Sequence, residues 1–297
     1  MTSTTGTATS AEPGAMRTED HRRAPLEGVL VADFSRVLAG PLSTMVLGDL
    51  GANVVKVERP GVGDDTRTWG PPWRDTDSTY SLSVNRNKRS VTLDLSDSDD
   101  RILARRLAER ADVLVENFRP GAAERMGLGY DDLAVVNPGL VYASITGFGR
   151  GDLAAGLGGY DFLIQAISGL MSVTGPVDGE PHKGGGALID VVCGLYTGIG
   201  VLAALTERGR SGRGQRVDVS LVESALAAMV NQASAFLAGG VVPGRLGNGH
   251  PSIAPYETPS AGDRPLAVAV GRDRLFRLLC EVVGRPELAA DARFTTN

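Results

Sequence analysis

Histidine, cysteine and aromatic residues are scarce: the 297-residue chain has three His and two Cys, and Phe, Trp and Tyr together make up 5%. Cys193 and Cys280 are too few and too far apart for a disulfide framework, and no Cys/His grouping has zinc spacing. No metal site is expected, and a reducing compartment, the cytoplasm, is the expected setting. His21 lies in a polar lead-in, so a histidine-based site would rest on His182 and His250; His182, in the turn-rich Gly179-Glu-Pro-His-Lys183, reads as a solvated loop residue. Phosphate-binding glycine motifs are missing too. There is no Gly-x-x-x-x-Gly-Lys-Ser/Thr, and residues 34–40 lack the three-glycine dinucleotide fingerprint, which disfavours ATP and nicotinamide chemistry. A net charge of −5 argues against nucleic acid or an anionic membrane as partner. No run reaches the ~18 consecutive apolar residues of a membrane span. The uncharged stretch 191–205, fenced by Asp190 and Glu207, reads as a buried core helix.

What is present is a globular composition, 42% hydrophobic and 22% charged, with length for one large domain or two moderate ones. Residues 1–24, rich in Thr, Ser, Ala and charge, form an expected disordered lead-in without a secretory apolar core. From there strand-like and helix-like patterns alternate. Short apolar runs at 28–33, 53–58, 90–95, 112–116, 140–146 and 216–219 predict strands. Helices are expected at 40–50, 97–110 (capped by Ser96 or Ser98), 122–126, 131–136, 160–171 and 190–206, with a long one over 221–237. Residues 60–80 and 207–216 read as loops. The alternation predicts an α/β fold: a doubly wound, Rossmann-like large domain over 25–238 with a largely parallel sheet. At Gly239 the texture turns Gly/Pro-rich, and 239–297, with a strand at 265–270 and a helix at 273–283, reads as a smaller, incomplete second domain.

With histidine, cysteine and glycine loops set aside, carboxylates and edge cations remain. Asp190 follows the glycine run 184–186 and opens the apolar helix. It reads either as an N-cap, since Asp satisfies free helical N–H groups, or as a nucleophile beside apolar walls, attacking an activated carbonyl while backbone N–H groups hold the oxyanion. Asp161 invites the same capping reading. Arg59 ends the second strand, where α/β sheets bind ligands, or is a solvated edge charge. Asn117 and Phe118 follow a strand directly, so an amide and a ring could meet adenine or phosphate there.

Seven stretches, in order, resemble the family III CoA-transferases, the CaiB/BaiF type: residues 26–33 with Ala39-Gly-Pro41; 50–59; Asn85-Arg-Asn-Lys-Arg-Ser90; 115–121; Gly159-Tyr-Asp161 with 165–169; Gly212-Arg-Gly-Gln215; and Gly247-Asn-Gly-His-Pro251. The resemblance implies an enzyme that moves CoA between an acyl-CoA and a small carboxylic acid, with Asp190 as nucleophile and no permanently bound cofactor. It implies CoA contacts at Val37, Leu38, Ala39, Arg59, Leu93, Asn117, Phe118, Arg125, Tyr160 and Asp161, and a covering glycine loop at Gly247, Asn248, Gly249 and His250. It further implies an interlocked homodimer of longer chains, this one being C-terminally truncated. The ten residues from Gly247 to Tyr256 look most like those of members using short dicarboxylates such as succinate. Two family contacts are not carried over, because Gly158 and Ser96 stand where basic residues would be. The family's racemases pair the aspartate with a histidine, where this chain has Tyr160, whose ordinary pKa of ~10 suits it poorly as a base. A truncated acyl-CoA-binding relative without turnover is the remaining alternative.

Overall fold

The computed structural model describes residues 23–151 and 157–296, so the lead-in lies almost wholly outside the described residues. The chain runs β1 (Leu30–Asp33), α1 (Ala39–Asp49), β2 (Asn53–Glu58), a hairpin of β3 (Trp73–Arg74) and β4 (Asp77–Ser78), α2 (Thr79–Val84), β5 (Lys88–Thr92) and α3 (Ser98–Arg110). It continues through β6 (Val113–Glu116), α4 (Ala122–Arg125), α5 (Tyr130–Ala134), β7 (Val141–Thr146), α6 (Asp161–Ile167), α7 (Leu188–Ser211) and β8 (Arg216–Ser220). Next come α8 (Leu221–Ala228) and α9 (Val230–Gly239).

Six strands form one sheet, β5-β2-β1-β6-β7-β8, parallel throughout. This is the doubly wound order, in which the chain reverses direction across the sheet between its first and fourth strands, here β1 and β6. The strands read as continuous apolar runs because both faces are covered. Alternate residues serve opposite layers: Val31, Val113, Val115, Val141 and Ala143 pack with Ile189, Cys193 and Val201 of α7. Ala32, Leu114 and Tyr142 face the other way, toward Ala104 and Ala108 of α3.

Several local expectations change. Asp97, not Ser96 or Ser98, caps α3, its carboxylate accepting from the N–H groups of Asp99 and Asp100. Residues 60–80 hold the β3–β4 hairpin and a short 3-10 turn, Asp65–Thr68, as well as loop. The first half of the expected loop 207–216 is helix: α7 runs to Ser211 and stops at Gly212, whose φ of 71° suits glycine. A Cβ on Gly214 would lie 2.0 Å from the Leu140 carbonyl oxygen, so the second glycine of that motif serves close backbone approach. The long helix expected over 221–237 is two, α8 and α9, bent by 83° at Met229. Beyond Gly239 the expected strand 265–270 is divided between short antiparallel pairs. They are β9 (Tyr256–Glu257), β10 (Ser260–Ala261), β11 (Arg264–Pro265) and β12 (Val268–Ala269), with β9 on β12 and β10 on β11; α10 (Asp273–Val282) follows. Among the described residues α7 alone is, as a single helix, long and apolar enough to cross a membrane, yet Ile189, Cys193, Thr197, Val201 and Ala204 bury one face of it in the core.

Gly209, in the last turn of α7, and Gly214, beyond its end, should respond oppositely to alanine. Gly209, with nothing within 4 Å of its would-be Cβ, should gain about 0.5–1 kcal/mol on Gly209→Ala. Gly214→Ala should lose about 2–3 kcal/mol, because backbone cannot yield to the new methyl. Urea unfolding midpoints of the two variants measure both.

Candidate active site

In a doubly wound sheet, ligands bind beyond the carboxyl ends of the strands at the switch point. Two cavities open there, the first between the segments that leave β1 and β6 and the second between the ends of β2 and β5 and the segment that leaves β6. The first, about 220 Å³, is lined by Arg36, Val37, Leu38 and Ala39 after β1, Asn117 to Pro120 after β6, and Tyr160 and Asp190. The second, about 390 Å³, has an apolar lining that includes Val57, Leu93, Leu95 and Met126, with Lys56, Arg59 and Ser96 among its polar residues. Arg36 and Phe118 line both and so mark where the cavities meet.

Of the expected site residues, Val37, Leu38, Ala39, Asn117, Phe118, Tyr160 and Asp190 share the first cavity, and Arg59 and Leu93 line the second with Phe118. Arg59 is half-exposed and pairs with Asp65 at 2.5 Å. The Asn117 amide is a backbone clamp: it accepts from Arg36 N–H at 2.9 Å and donates to Arg36 C=O at 2.8 Å. Arg125 lines neither cavity; it reaches past Gly121, where a Cβ would come within 3.0 Å of its Nη1. The Gly247–His250 loop also stands outside both cavities. Gly247 N–H donates to Gly175 C=O at 3.1 Å, the Asn248 amide donates to Thr258 Oγ1 at 2.9 Å, and the His250 ring lies 5.2 Å from that of Tyr256.

The capping readings of both aspartates need correction. Ala187 occupies the N-cap position of α7, and Asp190 sits inside the first turn. Asp161 does not cap its own helix, α6, whose N-cap is Tyr160. Instead its buried carboxylate reaches across to α7, where Oδ1 accepts from the N–H groups of Ile189 at 2.7 Å and Asp190 at 3.2 Å, while Oδ2 accepts from the Gln165 amide at 2.6 Å. The Gln165 carbonyl oxygen in turn accepts from Gly184 N–H at 2.8 Å, tying down the glycine run that enters α7. Asp161 is absent from the cavity lining.

With that cap supplied by another residue, the Asp190 side chain is left over. Among the described residues Asp33, Glu58, Asp64, Glu116 and Asp161 are buried carboxylates with hydrogen-bond donors. The half-buried Asp190 carboxylate has no side-chain hydrogen bond or ion pair among them. Burial, and then the nearby Asp161 carboxylate, push it up to about 7 from 3.8. Cys193, one turn on, is no rival nucleophile: burial drives its thiol up to about 12.

Arg36, which lines both cavities, and Tyr80, which lines neither but feels the field of Asp190, carry no signal in the sequence. Arg36 looks like any loop cation until the fold sets it between the cavities. Tyr80 lies in α2, packed edge-on against Trp69 at 5.3 Å. Burial, then the field of Asp190, Asp161 and Asp64, raises its phenol to about 12, so it remains a hydroxyl donor at neutral pH.

The family model described as CoA-transferase family III matches residues 26–297. The chain belongs to CoA-transferase family III. It is 44% identical over 273 residues to succinyl-CoA:glutarate CoA-transferase of Mus musculus, covering 92% of this chain and 63% of that protein. The acetyl-CoA:oxalate CoA-transferase of Acetobacter aceti is likewise 44% identical over 276 residues, with 93% of this chain and 71% of that protein covered. A solved CAIB/BAIF family protein from Brucella suis superposes with a TM-score of 0.81 at 46% identity, over 93% of this chain and 74% of that one. The chain therefore spans less than two thirds of the mouse relative's length.

An aspartate held protonated by burial costs the fold stability once it ionises. Because its folded value is raised from 3.8 to about 7, the folded state binds the extra proton, and Asp190 lowers stability progressively as pH climbs through that window. Asp190→Asn should therefore match the parent near pH 4 and melt several degrees higher at pH 8, a difference read by thermal denaturation across pH.

Proposed function

We propose that this chain carries the catalytic part of a CoA-transferase exchanging CoA between an acyl-CoA and a short dicarboxylic acid. The observation that carries this reading is Asp190: an unpaired carboxylate, raised to about 7, on the wall of the switch-point cleft. About half ionised at neutral pH, it is a stronger nucleophile than an ordinary aspartate yet still available as the anion.

In the proposed cycle the Asp190 carboxylate attacks the donor thioester, forming an acyl–aspartyl anhydride and releasing CoA thiolate. The thiolate attacks the aspartyl carbonyl, expelling the donor acid and leaving an aspartyl-CoA thioester. The acceptor carboxylate displaces the thiolate to give a second anhydride, and the thiolate attacks its acyl carbonyl, yielding the new acyl-CoA and regenerating Asp190. Each intermediate stays activated, so the thioester's energy is conserved through three covalent intermediates. Water would hydrolyse an anhydride, which is why such a site must be sheltered.

The wider second cavity suits the adenosine end of CoA, with apolar walls at Leu93 and Phe118 and a cation at Arg59, whereas Lys56 is buried and committed to Asp64 and Ser35 C=O; the thioester would then lie in the first cavity. Arg36 and Arg119 line that first cavity and offer the positive charge a second carboxylate requires. Named relatives act on succinate, glutarate, oxalate and mesaconate. The Gly247–His250 loop is retained as candidate cover because its anchor, Gly175, lies in the segment that leads to α7. We read residues 25–238 as the CoA-binding domain, 239–297 as part of a smaller one, the assembly as a homodimer and the setting as cytoplasmic. Exposed Leu195, Tyr196 and Ile199 on α7 and Phe236 and Leu237 on α9 support a covering partner.

Incubation with succinyl-CoA and glutarate should yield glutaryl-CoA, and hydroxylamine should trap the acylated enzyme as a hydroxamate at Asp190, read by peptide mass spectrometry. The exchange rate should rise about tenfold per pH unit below neutrality and level above about 7, following ionisation of Asp190. Asp190→Ala should lower it by about 10³-fold or more. Exchange surviving in that variant, or an unlabelled Asp190 in an active enzyme, would overturn the mechanism.

A further inference from the structure

Val37 has φ of 71°, a left-handed conformation that a β-branched residue adopts only under constraint. The constraint is visible on each side of it. Ser35 C=O accepts from Lys56 Nζ at 2.8 Å, and Arg36 is clamped at both its N–H and C=O by Asn117. Val37 N–H is held by the Asp64 carboxylate, at 3.2 Å from Oδ2 and 3.3 Å from Oδ1. Asp64 is itself fully buried and paired with the equally buried Lys56 at 2.9 Å; its Oδ1 also accepts from Thr66 N–H at 3.0 Å and Thr66 Oγ1 at 2.8 Å. Its own N–H donates to Glu58 Oε1 at 2.9 Å, so the anchor is rooted in β2.

The strained turn is where β1 delivers Val37, Leu38 and Ala39 to the cavity that holds Asp190. Helix α7 meets this turn closely: a Cβ on Gly194, one turn beyond Asp190, would lie 2.6 Å from Ala39 C=O. The Val37–Ala39 backbone and Asp190 are thus two parts of one wall, the first fixed through Asp64 and the second through Asp161. Strain in a turn persists where the surroundings over-determine it, and a misplacement of about 1 Å in a reacting site can cost about a hundredfold in rate.

We propose that Asp64 is a positioning residue for the transfer reaction: by gripping Val37 N–H it holds the β1–α1 turn in the strained form that seats the thioester against Asp190. This rests on the CoA-transfer reading. Asp64 touches no reacting atom. Lys56 and Asp64 border the second cavity, but both are buried and committed to each other, so the contribution of Asp64 falls mainly on kcat, while Arg59, Leu93 and Phe118 keep the second cavity's grip on CoA and so KM.

The test replaces the buried pair with apolar groups of similar volume, Lys56→Met with Asp64→Leu, because such swaps commonly preserve a fold. The double variant should melt cooperatively, keep KM for succinyl-CoA within about threefold and lose about 10- to 100-fold in kcat. Adding Val37→Gly, which adopts positive φ without strain, should restore at least about threefold of that loss. A folded double variant with parental kcat would overturn the proposal, and so would a loss confined to KM. Should the double variant fail to fold, Asp64→Asn decides: it removes the charge that pairs Lys56 and puts an NH2 donor in place of one oxygen, where Oδ2 now accepts from Lys56 Nζ at 2.9 Å and Val37 N–H at 3.2 Å, so the grip on Val37 loosens and kcat should fall at least about threefold, and an unchanged kcat overturns the idea. The parent protein, run alongside, separates the two readings. Absence of exchange and of Asp190 acylation there defeats the transferase reading itself, whereas a working parent with indifferent Asp64 variants defeats only the positioning role.

Discussion

The site depends on one carboxylate doing the work usually done by another. A helix N-terminus needs acceptors for its free N–H groups, and an acid in the first turn would ordinarily supply one or at least enjoy the positive end of the dipole. Here Asp161, carried on α6, supplies the acceptor for α7 through Ile189 and Asp190 N–H. This frees the Asp190 side chain from any local duty and sets a second negative charge nearby. The two consequences are inseparable: the cap that orders the first turn also raises the acid within it. A helix capped by its own Asp190 would have been equally well formed and would have had no spare carboxylate.

The ends of β1 and β2 carry a second set of charges. Asp33 at the end of β1 is fully buried, yet Lys88 and Lys56 hold it below the usual carboxylate range against the opposing pull of burial, with hydroxyls of Ser35 and Thr44 adding to the effect. The same burial lowers Lys88 to about 8, with Asp33 opposing. Glu58, gripped by Arg67, Ser90 and Asp64 N–H, is held at about 2 although burial pushes it upward. Desolvating so many charges is costly, and apolar residues could fill the same space more cheaply. What apolar residues could not do is bind the backbone of residues 35–37, whose N–H and C=O groups sit at a bend with no strand partner. Directed acceptors and donors shape that bend, and the bend forms the cleft wall.

The sheet was readable in the sequence because both its faces are covered, so each strand appears as an apolar run that loop composition then punctuates. Asp190 and the residues after β1 and β6 were readable as well, the first by its place before an apolar helix and the others by their place after strands. Three features were not. Asp161 reaching α7 depends on the packing of α6 against it, and local spacing suggests only that each acid caps its own helix. The end of α7 was set by Gly212 at positive φ instead of by the polarity of residues 207–211: Glu207 and Arg210 face solvent on the helix, and Arg208 pairs with Asp112 at 2.9 Å. The bend at Met229 has no proline or glycine to announce it. Arg36 was invisible for a related reason: it matters by its place between the two cavities at the switch point, a property of topology that a linear pattern does not encode.

The contrast among the acids finally explains why the chemistry sits where it does. Around the switch point every fully buried carboxylate has donors assigned to it, and each serves the backbone or a lysine or arginine partner. Asp190 is the exception, half-buried on the cavity wall with nothing to hold it. An unpaired buried acid is destabilising when ionised, so its retention needs a compensating use. In the proposed transfer a thioester carbonyl brought into the cleft would supply it, because forming the anhydride would remove the charge from the aspartate and place it on a departing thiolate. The ground-state disadvantage of ionised Asp190 is relieved by the bond it forms, and a site that paired this acid as thoroughly as its neighbours would forfeit that driving force.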